Sequence, residues 1–194
     1  MKVYFVRHGE AMDDVENSYG GWADHELSPT GTGGAGEIAA KLKGMNTGAE
    51  LILSSPLKRT TQTARIISTT LGIPMETFAY LKERNTYGLL CGENKDEAKR
   101  RYPELVEAYD KGEEVLGYED YDFFLKRVKK LIEKLLEFNE ETLICVTHGK
   151  LLKALFKDIL KNEAKEFSPN CFAEIGIDKT GNLALISSEG IDFA

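Results

Sequence analysis

Two short runs constrain this chain more than anything else in it. VYFV (Val3 to Val6) runs straight into Arg7-His8-Gly9-Glu10, and LICVT (Leu143 to Thr147) runs straight into His148-Gly149. Each apolar run is the right length for a buried strand and too short for a core helix. A buried strand that stops in a cation, an imidazole, a glycine and an acid within four positions has been given something to present at its end. Ligands of open α/β sheets bind beyond the carboxyl ends of the strands, where the strand order switches. The two His-Gly pairs therefore predict a sheet whose carboxyl edge carries the chemistry.

The rest of the chain supplies that sheet. Strands are expected at 2–6, 51–55 and 142–147, with a short one near 75–78. Ser28-Pro29 and Ser55-Pro56 each read as a helix start, with Ser as N-cap and Pro in the first turn, which opens helices over 29–43 and from Pro56 to about Leu71. The first of these is poor by propensity, because Gly31, Gly33, Gly34 and Gly36 fall inside it. The clearest helix covers 120–138, where Phe124, Val128, Leu131, Leu135 and Phe138 form one apolar stripe. A helix over 149–161 follows, and strands at 171–177 and 182–188 close the chain around the turn Asp178-Lys179-Thr180-Gly181. Segment 12–28 reads as a loop. Strands alternating with helices define an α/β domain with a mainly parallel sheet. Residues 84–118, rich in charge, Gly and Tyr, read as a small helical cap on a single domain spanning 1–194.

Length and composition exclude several classes. The 194 residues suffice for one domain with a large core, and the net charge of −7 argues against a surface that binds nucleic acid or anionic membrane. No apolar run approaches the roughly 20 residues that cross a bilayer, and the first one, broken at Arg7, is too short for a signal peptide. Cys91, Cys145 and Cys171 are odd in number and far apart, which favours a reducing, cytoplasmic setting over a disulfide scaffold.

If the ends of the three strands lie side by side, Arg7, His8, Arg59 and His148 converge. Two guanidiniums with two imidazoles form an anion site, since guanidinium forks match phosphate oxygens. Zinc fits less well: there are three His in the chain, none at helical pair spacing, and neighbouring Arg residues would repel a divalent cation. Glu83, in LKERNTYG, is either a surface charge or an acid brought to the anion site; a carboxylate there would serve proton transfer rather than anion binding.

These residues resemble the histidine phosphatase superfamily, the phosphoglycerate-mutase-like group. The resemblance lies in Arg7-His8-Gly9, in the block from Ser54 to Ala64 containing Arg59 and Gln62, in Glu83, and in Val146-Thr147-His148-Gly149, in family order across essentially the whole chain. It implies a three-layer α/β sandwich and a metal-free, two-step phosphoryl transfer. His8 would be the nucleophile; Arg7, Arg59 and His148 would hold the phosphoryl oxygens, with His148 cationic; Glu83 would protonate the leaving oxygen and then assist the hydrolytic water. The implied substrate-binding set is Asp14, Asn17, Gly20, Gly21, Tyr87, Lys95 and Gly149. Ala11 and Asp14 depart from the family pattern, which places Ser or Thr and Asn there.

GWADHELS (from Gly21) and the segment Glu83 to Lys95 resemble mutase segments, whose Tyr and Lys, here Tyr87 and Lys95, hold phosphoglycerate. Mutases also carry a long insertion with a paired-Arg clamp, whereas here residues 96–119 alone precede the long helix and Arg100-Arg101 reads as a solvated pair. A short cap excludes water poorly, and a wet phosphohistidine hydrolyses. The expected activity is therefore a phosphatase acting on a small phosphorylated metabolite, with no cofactor. The alternatives are a mutase interconverting 2- and 3-phosphoglycerate, with bisphosphoglycerate as primer, and a phosphohistidine protein phosphatase.

Overall fold

The computed structural model describes residues 1–193. Its strands are β1 (Lys2–Arg7), β2 (Leu51–Ser54), β3 (Met75–Thr77), β4 (Thr142–Thr147), β5 (Ala164–Ile177) and β6 (Leu183–Phe193). They form one sheet in the order β3-β2-β4-β1-β5-β6. The first four are mutually parallel; β5 and β6 run antiparallel and close one side. The sheet is thus mixed but mainly parallel. Alternation along the strands assigns the two faces. Val3 and Phe5 of β1 join Leu143 and Cys145 of β4 against α6 (Tyr121–Leu135) and α7 (Gly149–Ala154). Tyr4, Val6, Ile144 and Val146 pack on the other face against α2 (Pro29–Gly44) and α3 (Lys58–Leu71). The result is a three-layer sandwich.

Several elements differ from their expected form. Segment 12–28 is not all loop: Met12–Val15 forms a single helical turn, α1, in which Ala11 N donates to Asp14 Oδ2 (3.2 Å). Helix α3 starts at Lys58 rather than at Pro56: Leu57 is its N-cap, and the Ser55 hydroxyl bonds His148 Nε2 (2.8 Å) and accepts from Leu57 N (3.4 Å). The helix after His148 widens into a π-helical turn over Leu155–Leu160. The closing hairpin is longer than expected, with pairing that slips between Phe167 and Phe172. In that irregular stretch Asn170 adopts φ +58° and its N–H donates to His8 O (3.3 Å).

Gly31, at the start of α2, is required for close approach. A Cβ there would lie 1.9 Å from Glu10 O, and one on Gly9 would lie 2.4 Å from Gly31 O. Gly9 therefore serves the packing of α2 against the end of β1. Ser28 caps α2 as expected: its Oγ accepts from Gly31 N (2.9 Å) and donates to Glu10 Oε1 (2.5 Å).

The excursion holds α4 (Lys95–Arg101) and α5 (Pro103–Asp110) around a separate apolar cluster of Tyr19, Leu90, Ala98, Val106 and Val115. Main-chain bonds tie it to the segment after β1: Tyr19 N to Glu93 O (3.0 Å), Gly92 N to Tyr19 O (2.7 Å) and Lys95 N to Asn17 O (3.0 Å).

Candidate active site

The carboxyl ends of β2, β4 and β1 lie side by side, and Arg7, His8, Arg59 and Gly149, at or beyond those ends, line one cleft of about 440 Å³, with Ser55 and His148 outside its lining. His8 follows β1 directly. Its Nδ1 bonds Gly9 O (2.6 Å), which makes Nδ1 the protonated nitrogen and leaves a lone pair on Nε2. Arg59 Nε donates to that lone pair (3.1 Å). The Arg59 guanidinium, on the first turn of α3, is buried and also bonds Ala23 O (2.9 Å) and Gly21 O (2.8 Å), which leaves two of its five N–H groups for a ligand.

His148 lies behind His8, fully buried, with ring centroids 5.0 Å apart in an edge contact. Its Nε2 meets Ser55 Oγ, while its Nδ1 is buried without a partner among the described residues. Arg7 lines the cleft; its Nη1 donates to Phe167 O and its buried Nε has no partner among the described residues. Gly149 sits beside it, since a Cβ at that position would come within 3.4 Å of Arg7 Nε.

Glu83 is buried on the cleft wall. Its carboxylate accepts from Arg84 N (2.9 Å), Lys150 N (3.2 Å) and Leu151 N (3.2 Å), so it closes the first turn of α7. Its main-chain oxygen accepts from Trp22 Nε1 (2.7 Å) and Arg127 Nη2 (3.1 Å). Arg127, on α6, also donates to Lys82 O (2.6 Å) and forms a two-point pair with Glu119 (3.1 and 3.0 Å). The segment bearing Glu83 is thereby fixed from two sides.

Burial pushes both imidazoles well below the usual histidine value, and Arg59 and Arg7 push them further. The expected cation at His148 is not what the protein's own groups favour. Burial alone penalises the charged ring, and every charged neighbour acting on it is a cation. Burial also lowers Arg59, opposed by the carboxylates of Asp13 and Glu83.

Of the expected substrate-binding set, Asp14, Gly20, Gly21, Tyr87, Lys95 and Gly149 line the cleft. Asn17 does not: it is exposed at φ +52°, and its main chain holds Lys95 instead. Sequence reasoning missed Asp13, Ser55 and Arg127, as well as Lys150, Lys153 and Lys165 on the cleft wall. Lys150 and Lys153 had a readable signal, because they stand three residues apart in the helix that follows His148; Arg127 had none.

A cationic cleft at the carboxyl edge of a parallel sheet, with a buried imidazole and a carboxylate on its wall, is the kind of site that handles phosphoryl groups. The sequence pattern of the histidine phosphatase superfamily (branch 1) matches residues 3–180, and the chain belongs to that superfamily. It is an enzyme of phosphoryl transfer. Among solved structures it is similar to the α-ribazole phosphatase from Shigella flexneri (21% identity, covering 96% of this chain and 95% of that one, TM-score 0.78). It is also similar to mycobacterial glucosyl-3-phosphoglycerate phosphatase in complex with VO3 (21%, 96% and 97%, TM-score 0.76). A phosphoglycerate mutase from Bacillus anthracis str. Sterne aligns comparably (20%, 96% and 92%, TM-score 0.78). At such identity these likenesses show a shared fold. No helix among the described residues is long and apolar enough to cross a membrane.

Proposed function

We propose that the chain is a phosphomonoesterase that hydrolyses a small phosphorylated metabolite through a phosphohistidine on His8. The observation that carries this is the bond from His8 Nδ1 to Gly9 O, which leaves the Nε2 lone pair beside Arg59 and within the cleft that Glu83 lines. As the phosphoryl group enters, its oxygens take the Arg59 N–H groups, including the one now on Nε2. The freed lone pair attacks phosphorus in line, the bond to the ester oxygen breaks, and Glu83 delivers a proton to that oxygen. Water then attacks the phosphohistidine as the Glu83 carboxylate takes its proton, and phosphate leaves. Arg7 and Arg59 offset charge on the phosphoryl oxygens, while His148, fully buried and outside the cleft lining, backs the nucleophile in an edge contact with His8.

Hydrolysis is favoured over mutase chemistry by the position of Arg100 and Arg101. Both are exposed, pair with Glu97 (3.9 Å) and Glu93 (3.2 Å), and are absent from the cleft lining. The reading needs no metal or organic cofactor, since His8, Arg59 and Glu83 supply nucleophile, charge and proton; turnover is expected to survive EDTA.

Rapid-quench labelling with a radiolabelled phosphomonoester should trap acid-labile, base-stable phosphate on the wild type and none on His8→Ala. Unlabelled wild type together with full turnover in His8→Ala would sink the covalent route. Given 3-phosphoglycerate and catalytic bisphosphoglycerate, the enzyme should release inorganic phosphate; formation of the 2-isomer without phosphate release would make it a mutase.

A further inference from the structure

A second pocket of about 310 Å³ adjoins the cleft, and Lys150 and Lys153 line both. Its walls are Arg84, Lys150, Lys153 and Lys157 with the rings of Tyr121 and Phe124, and no acid lines it. The cleft itself is lined by Asp13, Asp14, Glu83 and Glu166 as well as by cations. None of the four cations of the side pocket makes an ion pair among the described residues. The acids around it are already engaged: Glu83 by the main-chain N–H groups of Arg84, Lys150 and Leu151, the Glu119 carboxylate by Arg127, and Asp158 by the Tyr121 hydroxyl (2.5 Å). Arg84 is pre-set. Its Nε bonds Glu119 O (3.1 Å) and its guanidinium carbon lies 4.8 Å from the Tyr121 ring centroid, which fixes the fork while no bond occupies its Nη groups among the described residues.

Like charges three and four residues apart on one helix repel each other. Lys150, Lys153 and Lys157 accept that repulsion along the element that begins at the active-site His-Gly. An anion that bridges them relieves it. The pocket's position indicates which part of a substrate would reach it. Glu83, the proposed proton donor to the ester oxygen, is held by Lys150 N and is followed in the chain by Arg84. The alcohol portion of the substrate, beyond the oxygen that Glu83 serves, therefore leads toward the side pocket.

We propose that this pocket is a second anion subsite that takes a phosphate group on the alcohol portion, so that the preferred substrates are phosphomonoesters bearing a second phosphate. Four unpaired cations call for a dianion rather than a single carboxylate. The direction of the substrate rests on the phosphomonoesterase reading; the subsite's affinity for a second anion does not.

Binding of phosphonates, which cannot be hydrolysed, separates the two. Calorimetric titration of the wild type with straight-chain alkylphosphonates, carboxyalkylphosphonates and alkane bisphosphonates of two to six carbons is the direct test. At the best chain length the bisphosphonate should bind at least about tenfold more tightly than the alkylphosphonate, and more tightly than the carboxylate analogue. In Lys153→Gln/Lys157→Gln, which removes two of the four cations, the ratio of the two affinities should fall to about threefold or less. Because the readout is a ratio within each protein, a partly unfolded variant does not blur it. Equal binding of mono- and bisphosphonate, or a preference that survives in the double variant, overturns the subsite. A carboxylate analogue that matches the bisphosphonate overturns its assignment to phosphate. Phosphate release from monoesters, measured alongside, reports on the hydrolytic reading alone.

Discussion

Burial among guanidiniums gives His8 and His148 a second consequence besides reactivity. Unfolded, each ring takes up a proton near pH 6.5. Folded, burial and the charges of Arg59 and Arg7 hold both values well below that. Below about pH 6.5 the unfolded chain therefore binds more protons than the folded one, and stability must fall as pH falls. Each histidine contributes up to about 1.4 kcal/mol per pH unit until the pH passes its folded value. Urea midpoints should drop between pH 7.5 and 5.5, and His8→Asn/His148→Asn should flatten that drop. An unchanged slope in the double variant would mean that the two rings take up protons in the folded chain as readily as in the unfolded one. The same residues show why Ser55 escaped notice. Its neighbour Pro56 suggests a helix cap, but a buried imidazole with a free nitrogen claims the hydroxyl first, and only tertiary structure reveals that claim.

Helix α2 shows how a local rule and a packing demand can share one sequence. Four glycines over Gly31–Gly36 cost helix propensity, yet they are not equivalent. A Cβ at Gly31 would meet Glu10 O at 1.9 Å, whereas one at Gly33 would meet nothing within 4 Å. Gly31→Ala should therefore destabilise by about 1–3 kcal/mol, as overpacking does, and should disturb the turn that carries His8. Gly33→Ala should instead stabilise by up to about 1 kcal/mol, or roughly 2–4 °C in Tm for a chain of this size. Thermal unfolding of the two variants checks both signs, and like shifts would contradict the close approach. The elements that the sequence announces are those whose pattern is set by a single face: β1 and β4 as apolar runs, and α6 as a stripe from Phe124 to Leu135. Those it conceals depend on a partner. α1 is one turn held by Asp14 on Ala11 N, and the early part of β5 exists only because β6 pairs with it. At the site the same division holds. Arg7, His8 and His148 are legible from their strand-end positions and Arg59 and Glu83 from the family resemblance, whereas Arg127 reaches Glu83 across the fold from the middle of a helix face that otherwise looks solvated.

Over the whole molecule, charge is distributed against its own average. The chain carries a net −7, yet its cleft is lined by Arg7, Arg59, Lys95, Lys150, Lys153 and Lys165 against four acids, and the side pocket by cations alone. The cap brings Lys95 to that rim because its backbone is bonded to the segment after β1, and the sheet edge brings the rest. A cationic cleft in an anionic body focuses its field at the mouth and turns away anions that approach elsewhere. Encounter with a dianionic phosphate ester should then depend on salt much more than the chemical step, which takes place where the charges are buried and poorly screened. Raising NaCl from about 20 to about 500 mM is expected to lower kcat/KM for a phosphomonoester roughly tenfold or more while kcat changes less than about twofold. Steady-state kinetics in inert monovalent salt at fixed pH measures both. Lys165→Gln, on the rim and distant in sequence from His8 and Glu83, should weaken the salt dependence of kcat/KM. If kcat/KM were flat across that range, the cleft's charges would be acting at contact distance alone, and the surrounding negative surface would have no part in guiding substrate to the site.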